Sequence, residues 1–292
     1  MILVGVYAHK KKVITSEMNN GLTHILIQIA LPFMIVTSFI FTYDNTLKTN
    51  VLTTFYYSFI VYIIMILLSY LLLLPITGDK KTILHFGNVF PNTGYVGFPI
   101  LMSLYGPEGV IYGSIFNMFF VIFVWTYGLM LFGDRFEKRT LKSEIKKILL
   151  NPSIIAVIVG IAIMVFHIPV PMALLSGMKS IGSMTGPLSM IIIGGILQGA
   201  KITRYLTDWT LYYGVATKLL IIPILIYLLF LLIGHDSKVV TTIIIMTAMP
   251  ASAMTSIFAK SFDKEKDYAA VLVSLSTLLS LITIPILLKI IL

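Results

Sequence analysis

The chain of 292 residues has no cysteine and little charge, and these two shortages exclude several classes of protein. Without cysteine there is no disulfide, no thiolate metal site and no cysteine nucleophile. Charged residues make up 11% of the chain, against about 25% in soluble domains, so a soluble globule could not cover its surface. With 58% hydrophobic residues, the chain is not disordered either. An integral membrane protein remains.

Sequence motifs of enzymes and of nucleic-acid-binding proteins are also lacking. The chain has no phosphate-binding loop for ATP and no His-Glu-x-x-His motif, and its five histidines are scattered. The net charge of +9 does not come from a polar basic face of the kind that binds nucleic acid. We therefore expect a protein that is not an enzyme, needs no cofactor or metal, and binds no nucleic acid.

Long apolar runs between short polar connectors predict an all-α polytopic membrane protein. A spanning helix needs about 20 apolar residues. The predicted spans are a fragment at 1–8 and nine fuller runs at 20–41, 53–74, 82–103, 109–133, 152–166, 177–199, 209–234, 239–258 and 268–292. No strands are expected, because the runs do not alternate and an open sheet cannot satisfy its edge groups in lipid.

The basic residues predict how the chain is oriented in the cell membrane. Connectors after the odd-numbered spans hold sixteen Lys and Arg, and the other side holds four. Because basic loops stay in the cytoplasm, both termini are expected outside. The first span is anomalous, since eight residues cannot cross about 30 Å of hydrocarbon. We expect the true start to lie upstream of Met1, the alternative being a shortened first helix.

Four prolines predict an internal repeat. Pro32 and Pro91 lie in spans two and four, 59 residues apart, and Pro187 and Pro250 lie in spans seven and nine, 63 residues apart. A repeat of five spans inserts its second copy upside down, which is typical of secondary transporters. The predicted division is a first five-helix repeat (1–133), a basic cytoplasmic linker (134–151) and an inverted repeat (152–292). The alternative is that the prolines pair by chance.

Spans four and nine are the expected ligand site. A proline inside a helix removes a backbone donor at a cost of about 3 kcal/mol, and in lipid the freed carbonyls need partners or water. Two broken helices that meet near the midplane would offer free N–H groups and partial positive charge to an anion. The candidate substrate-binding residues are Asn88, Pro91, Asn92, Thr93, Gly94, Met249, Pro250, Ser252, Thr255 and Lys218. For Asn92, ligand contact and helix capping are both open.

Lys218 lies near mid-bilayer in span eight, where an unpaired lysine costs about 2.5–3.5 kcal/mol. It is a counter-charge for an anion or a group linked to proton movement, or else it snorkels or binds a carbonyl freed by Pro223. No acidic residue lies at mid-depth, so no carboxylate-based sodium or proton site is visible. His85, near the cytoplasmic end of span four, is expected to be structural or interfacial.

Several motifs, in this order, resemble the auxin efflux carrier family of membrane transporters. Residues 87–99 read GNVFPNTGYVGFP, 105–109 read YGPEG, 248–253 read AMPASA and 276–280 read STLLS. The resemblance covers nearly the whole chain and favours the compact prokaryotic type, because the long cytoplasmic loop of many plant members is missing. It implies ten spans in two inverted five-helix repeats, with broken helices four and nine crossing at the substrate site, and elevator-like alternating access.

The function expected from these observations is a secondary active permease for a small organic anion. The family includes plant auxin exporters and bacterial carriers of dicarboxylates such as malate and malonate. The expected partners are the lipid bilayer, the anion and a coupling proton or sodium ion, with a homodimer left open. The alternative is a channel or a non-transporting membrane sensor.

Overall fold

The computed structural model describes residues 1–40, 45–132, 146, 149–199, 205, 207–233 and 237–291. Over these ranges the chain is helical, and its only β pairing is one isolated bridge. We number the helices α1 (Ile2–Lys10), α2 (Ser16–Ile25), α3 (Leu31–Ser38), α4 (Asn45–Leu72), α5 (Gly78–Val89), α6 (Phe98–Phe123), α7 (Leu129–Phe132), α8 (Pro152–Phe166), α9 (Met172–Ser183), α10 (Thr185–Gly199), α11 (Trp209–Ala216), α12 (Ile222–Ile233), α13 (Lys238–Thr247), α14 (Ala253–Ser261) and α15 (Lys266–Ile291).

Five helical stretches are long and apolar enough to cross a membrane. They are Ser16–Ser38, Thr49–Leu72, Thr93–Phe132, Trp209–Ile233 and Lys266–Ile291, and Pro152–Phe166 and Lys238–Thr247 are shorter apolar helices. The prediction of an all-helical polytopic membrane protein is thereby confirmed for the described residues. Helix lengths alone do not establish ten spans or an inverted repeat, and both stay predictions.

The stretch Thr93–Phe132 contains a sharp turn. Gly106 has φ 59° and ψ −145°, which is not helical, and Pro107 follows it. A positive φ favours glycine, because a Cβ would meet the backbone, and proline then starts the next helical segment with its fixed φ. The Gly-Pro pair therefore divides α6 where the sequence predicts the connector between spans four and five.

Three short π-helical segments, called π-turns here, precede prolines. The turns are Leu26–Ala30, Thr93–Gly97 and Thr217–Ile221, and Pro32, Pro99 and Pro223 each lie two residues beyond one of them. In each case the residue before the proline donates its N–H to the carbonyl five residues back. The wider turn relieves the clash that a proline ring has with the carbonyl four residues earlier. The helices therefore bend at these prolines without ending.

The short first helix packs on α10 through glycines. A Cβ on Gly5 would lie 2.4 Å from the carbonyl oxygen of Ile191, and one on Gly194 would lie 2.5 Å from that of Ile2. Only hydrogen fits between these backbones, as at the small-residue contacts of membrane helices.

The helices pack in two groups. In the first, α3 contacts α8 and α9, and α1 contacts α10. In the second, α13 contacts α4 and α6, and α15 contacts α5, α11 and α14. The groups meet where α3 and α8 touch α6 and where α10 touches α15 and the turn Thr93–Gly97.

Ion pairs join connectors that the charge pattern predicts to share a side. Lys80 lies 2.6 Å from Asp208, and Lys264 lies 3.6 Å from Asp79, joining the connectors after spans three, seven and nine. Lys238 lies 2.9 Å from Glu108 on the predicted opposite side. The hydrogen bond to Asp208 raises the pKa of Lys80 above its usual range. These pairs agree with the predicted alternation of sides, but they do not show which side is cytoplasmic.

Most of the predicted linker lies outside the described residues. This holds for residues 133–145, 147 and 148, and also for the basic residues Lys201 and Arg204. The division into repeats at 1–133 and 152–292 accordingly stays a prediction.

Candidate functional site

Two broken helices meet side by side. The first break, residues 90–92, separates α5 from the turn Thr93–Gly97 that leads into α6, and the second break, residues 248–252, separates α13 from α14. Asn92 donates its backbone N–H to the carbonyl of Pro250 at 2.7 Å, and Ser252 donates to that of Phe90 at 3.0 Å. These bonds form the isolated antiparallel bridge, which pairs Pro91 with Ala251. We call the two breaks together the crossing.

The breaks differ in length and register. The first contains three residues and the second five, so Pro91 lies opposite Ala251 while Pro250 stands one residue earlier. Ala251 also donates its N–H to the hydroxyl of Ser276 on α15, at 3.2 Å. The longer break is therefore held from a neighbouring helix as well as from the first break.

A side chain caps the helix that follows each break. Asn92 Oδ1 accepts from the N–H of Tyr95 at 3.3 Å, and Ser252 Oγ accepts from the N–H of Met254 at 3.2 Å. Both are N-caps, where Asn and Ser are among the preferred residues. Capping by Asn92 is thus observed, and its contact with a ligand stays a prediction. Two helix N-termini, each with partial positive charge, begin one residue beyond the bridge-forming bonds.

Two amide groups near the first break have unused donors. Asn92 and Asn117, the latter on α6, are buried, and among the described residues the Nδ2 group of neither donates a hydrogen bond. Thr93 Oγ1 donates to Asn117 Oδ1 at 2.6 Å, which fixes the Asn117 amide. Nothing lies within 4 Å of a Cβ built on Gly94. The N-terminus after the first break therefore borders open space with two N–H donors beside it.

The second break is less polar than the first, and both breaks are buried. Met249 is fully buried, and so is Thr255, whose hydroxyl has no partner among the described residues. A Cβ on Gly87 would lie 3.4 Å from the Cβ of Ala251, so small residues do let the two segments approach here. Gly94 has no such packing role.

Lys218 is fully buried and binds the ends of both preceding half-helices. Its Nζ donates to the carbonyl of Asn88 at 3.0 Å and to that of Thr247 at 3.3 Å. Among the alternatives for this residue, contact with free carbonyls is observed, but these carbonyls lie at the ends of the helices that break at Pro91 and Pro250, and Pro223 does not free them. Its predicted contact with substrate is not tested by this geometry.

A polar chain runs from Asn88 towards Tyr127. Asn88 Nδ2 donates to Ser69 Oγ at 3.2 Å, Ser69 Oγ lies 2.8 Å from His85 Nδ1, and His85 Nε2 lies 2.7 Å from the Tyr127 hydroxyl. His85 is buried and both of its ring nitrogens have partners, which agrees with the expected structural role.

The structure thus brings nine of the ten predicted site residues to the two broken segments and adds Lys218 beneath them. The sequence analysis did not identify Ser69, Asn117 or Ser276 as partners in the site. Ser69 lies on an unbroken helix and is identified only by tertiary contact, and Ser276 is marked only by its place in the motif at 276–280.

Comparison with known proteins gives a family and two relatives. Residues 1–288 match the family described as membrane transport protein. An uncharacterized transporter of Methanocaldococcus jannaschii is 23% identical over 296 residues, which covers 97% of this chain and 93% of the relative. An uncharacterized transporter of Methanothermobacter thermautotrophicus is 23% identical over 203 residues, covering 66% of this chain and 63% of the relative.

Proposed function

The chain belongs to the membrane transport protein family, the family of the auxin efflux carriers, and from this premise we propose that it is a secondary active transporter of a small organic anion. The proposed protein has ten spans in two inverted five-helix repeats and lies in the cell membrane with both termini outside. The anion binds at the crossing, and alternating access exposes the crossing to each side in turn. Dicarboxylates such as malate or malonate are the favoured substrates.

The observation that supports this proposal is the pair of helix N-termini at the crossing, the first of which borders open space at Gly94. Helix N-termini attract anions through their partial positive charge, although the first-turn N–H groups of Thr93, Tyr95, Met254 and Thr255 already have partners here. The side-chain amides of Asn92 and Asn117 add two further donors on the same side. No Asp or Glu is buried among the described residues, so nothing there repels a carboxylate.

The proposed binding residues fall into two kinds. Asn92 provides a donor and Gly94 provides space at the first break, Thr93 holds the Asn117 amide, and Ser252 caps the second helix N-terminus. Pro91, Met249, Pro250 and Thr255 shape the crossing. Binding by small polar groups and backbone N–H groups suits a small ligand of one or two carboxylates, because such a ligand has few atoms that need other contacts.

Alternating access fits the architecture better than a channel does. A channel needs a continuous hydrated path, usually lined by rings of polar groups. The crossing is instead a single site formed by the two breaks, and backbone hydrogen bonds between the breaks hold the two segments together there. The oligomeric state and the coupling ion are left open by these features.

A substitution that separates binding from capping tests the site. Asn92→Ser keeps an N-cap and removes the free amide, and Asn151→Ser makes the same change at the cap of α8. Carboxylates that raise the thermal stability of the purified wild type identify the ligand. We expect Asn92→Ser to weaken that ligand about 10-fold or more, the loss of one hydrogen bond to a charged group, and Asn151→Ser to leave affinity unchanged.

Transport is then measured in vesicles with the ligand found. Saturable counterflow supports a carrier, and linear flux without counterflow contradicts it. Equal affinity in wild type and Asn92→Ser would contradict the proposed site, because the free amide is the only group that the substitution takes away.

A further inference from the structure

The crossing has two electrically different ends. The helices after the breaks begin there, with partial positive charge, and α5 and α13 end there, with partial negative charge. A bound anion would interact with the N-termini, but it would not balance the partial negative charge at the ends of α5 and α13. In secondary transporters, C-terminal ends of half-helices and unwound carbonyls are places where coupling cations bind.

The two carbonyls at this end have lost their helical partners in the same way. In an unbroken helix the carbonyls of Asn88 and Thr247 would accept from the residues four positions on. Those residues are Asn92 and Ala251, and their N–H groups go to Pro250 and Ser276 instead. The residues three positions on are Pro91 and Pro250, which have no N–H.

The side chain of Lys218 fills the gap that this leaves. Its ammonium group donates to both carbonyls, at 3.0 and 3.3 Å, from the π-turn Thr217–Ile221 in the stretch Trp209–Ile233. It is the only buried side chain among the described residues that is ordinarily ionised, and no carboxylate there forms an ion pair with it. Its charge is balanced by carbonyl dipoles.

We propose that Lys218 is a tethered amino group that occupies the C-terminal end of the crossing, where a coupling alkali cation would otherwise bind, so that this transporter moves its anion without sodium. Lys218 is accordingly a positioning residue, since it ties the ends of α5 and α13 together and does not touch the substrate. The statement about sodium rests on the proposed function. The occupancy of the cation position does not.

Thermal stability in different chloride salts tests the occupancy. The purified protein is unfolded at equal ionic strength in choline, sodium or ethylammonium chloride. We expect one melting temperature in all three for the wild type. Lys218→Ala empties the position and lowers the melting temperature in choline, and a saturable rise of roughly 3–6 °C should follow with sodium or ethylammonium, the size expected for a specific ligand.

Lys218→Met is the matched control, because its side chain fills the same space without charge. It should lose stability without responding to either cation. A purely structural lysine predicts the opposite pattern, in which Met restores stability and neither cation helps Ala, and that pattern overturns the proposal. If Lys218→Ala does not fold, the wild type still decides: a saturable, sodium-specific rise in its melting temperature contradicts an occupied position.

Flux in vesicles tests the consequence for coupling. Wild-type flux should be equal in sodium and in choline, and Lys218→Ala flux should become sodium-dependent by about 5-fold or more. Sodium-dependent wild-type flux contradicts the proposal. A wild type without any flux contradicts the proposed function and leaves the thermal result to judge Lys218 separately.

Discussion

The two breaks of the crossing do the same structural task with different residues. The first is three residues long, is capped by an asparagine and has open space and amide donors around it. The second is five residues long, is capped by a serine and contains no side-chain amide. From this difference we expect the first break to carry recognition and the second to carry support.

The two breaks can be compared residue by residue when they are aligned at their N-cap residues, Asn92 and Ser252. Two positions after the cap stands Gly94 in the first segment and Met254 in the second. One position before the cap stands Pro91 in the first and Ala251 in the second, and these two form the bridge. If the two predicted repeats derive from one ancestral unit, the equivalent positions of the two copies have come to play different parts in the site.

The largest expected effect comes from removing the prolines. Pro91→Ala restores an N–H that can bond the carbonyl of Gly87, so α5 can extend through a break of only three residues. We expect flux to fall about 100-fold, the size of a misplacement of about 1 Å at a reacting or binding centre. Pro250→Ala should cost only about 10-fold, because Ser276 still holds Ala251. Equal losses, with equal amounts of folded protein, would contradict the division of roles.

A smaller effect is expected when Gly94 of the first segment is replaced by methionine, the residue at the equivalent position of the second segment. Gly94→Met places a side chain in the open space and should lower ligand affinity about 10-fold, by excluding part of the ligand. Stability should hold or rise, since glycine costs a helix about 1 kcal/mol relative to alanine. Isothermal titration and thermal unfolding measure the two effects. Met254→Gly is the reciprocal control and should lower stability without closing the site.

The smallest effect concerns the support of the second break. Ser276→Ala leaves the buried N–H of Ala251 without its partner, at a cost of about 1–3 kcal/mol, or roughly 3–8 °C in melting temperature. Ser280→Ala on the same helix is the control, because among the described residues that hydroxyl bonds only the carbonyl of Thr277. A Ser276→Ala protein as stable as Ser280→Ala would show that the second break does not need this support.

Much of the helical organisation could be predicted because it depends on the local sequence. Apolar runs and the connectors between them follow from length and charge, and the breaks follow from Pro91 and Pro250. The family assignment from the motifs around these prolines is confirmed by the match over residues 1–288.

The contacts between segments could not be predicted in the same way. The pairing of Pro91 with Ala251, instead of with Pro250, depends on the unequal lengths of the breaks, and a shift of one residue in either would change it. The partners of Lys218 are 130 and 29 residues away, and no local pattern encodes them. The hypothesis about Pro223 failed because the π-turn before that proline already accommodates it.

The glycine contact between α1 and α10 limits where the protein can deform. With backbone against backbone at Gly5 and Gly194, no side chain can change rotamer to let one helix slide along the other. A sliding surface is instead expected between the two groups, where α3 and α8 contact α6 and where α10 contacts α15. In the proposed transport cycle Gly5 and Gly194 travel together, which makes them a fixed reference point for measuring how far the rest of the molecule moves.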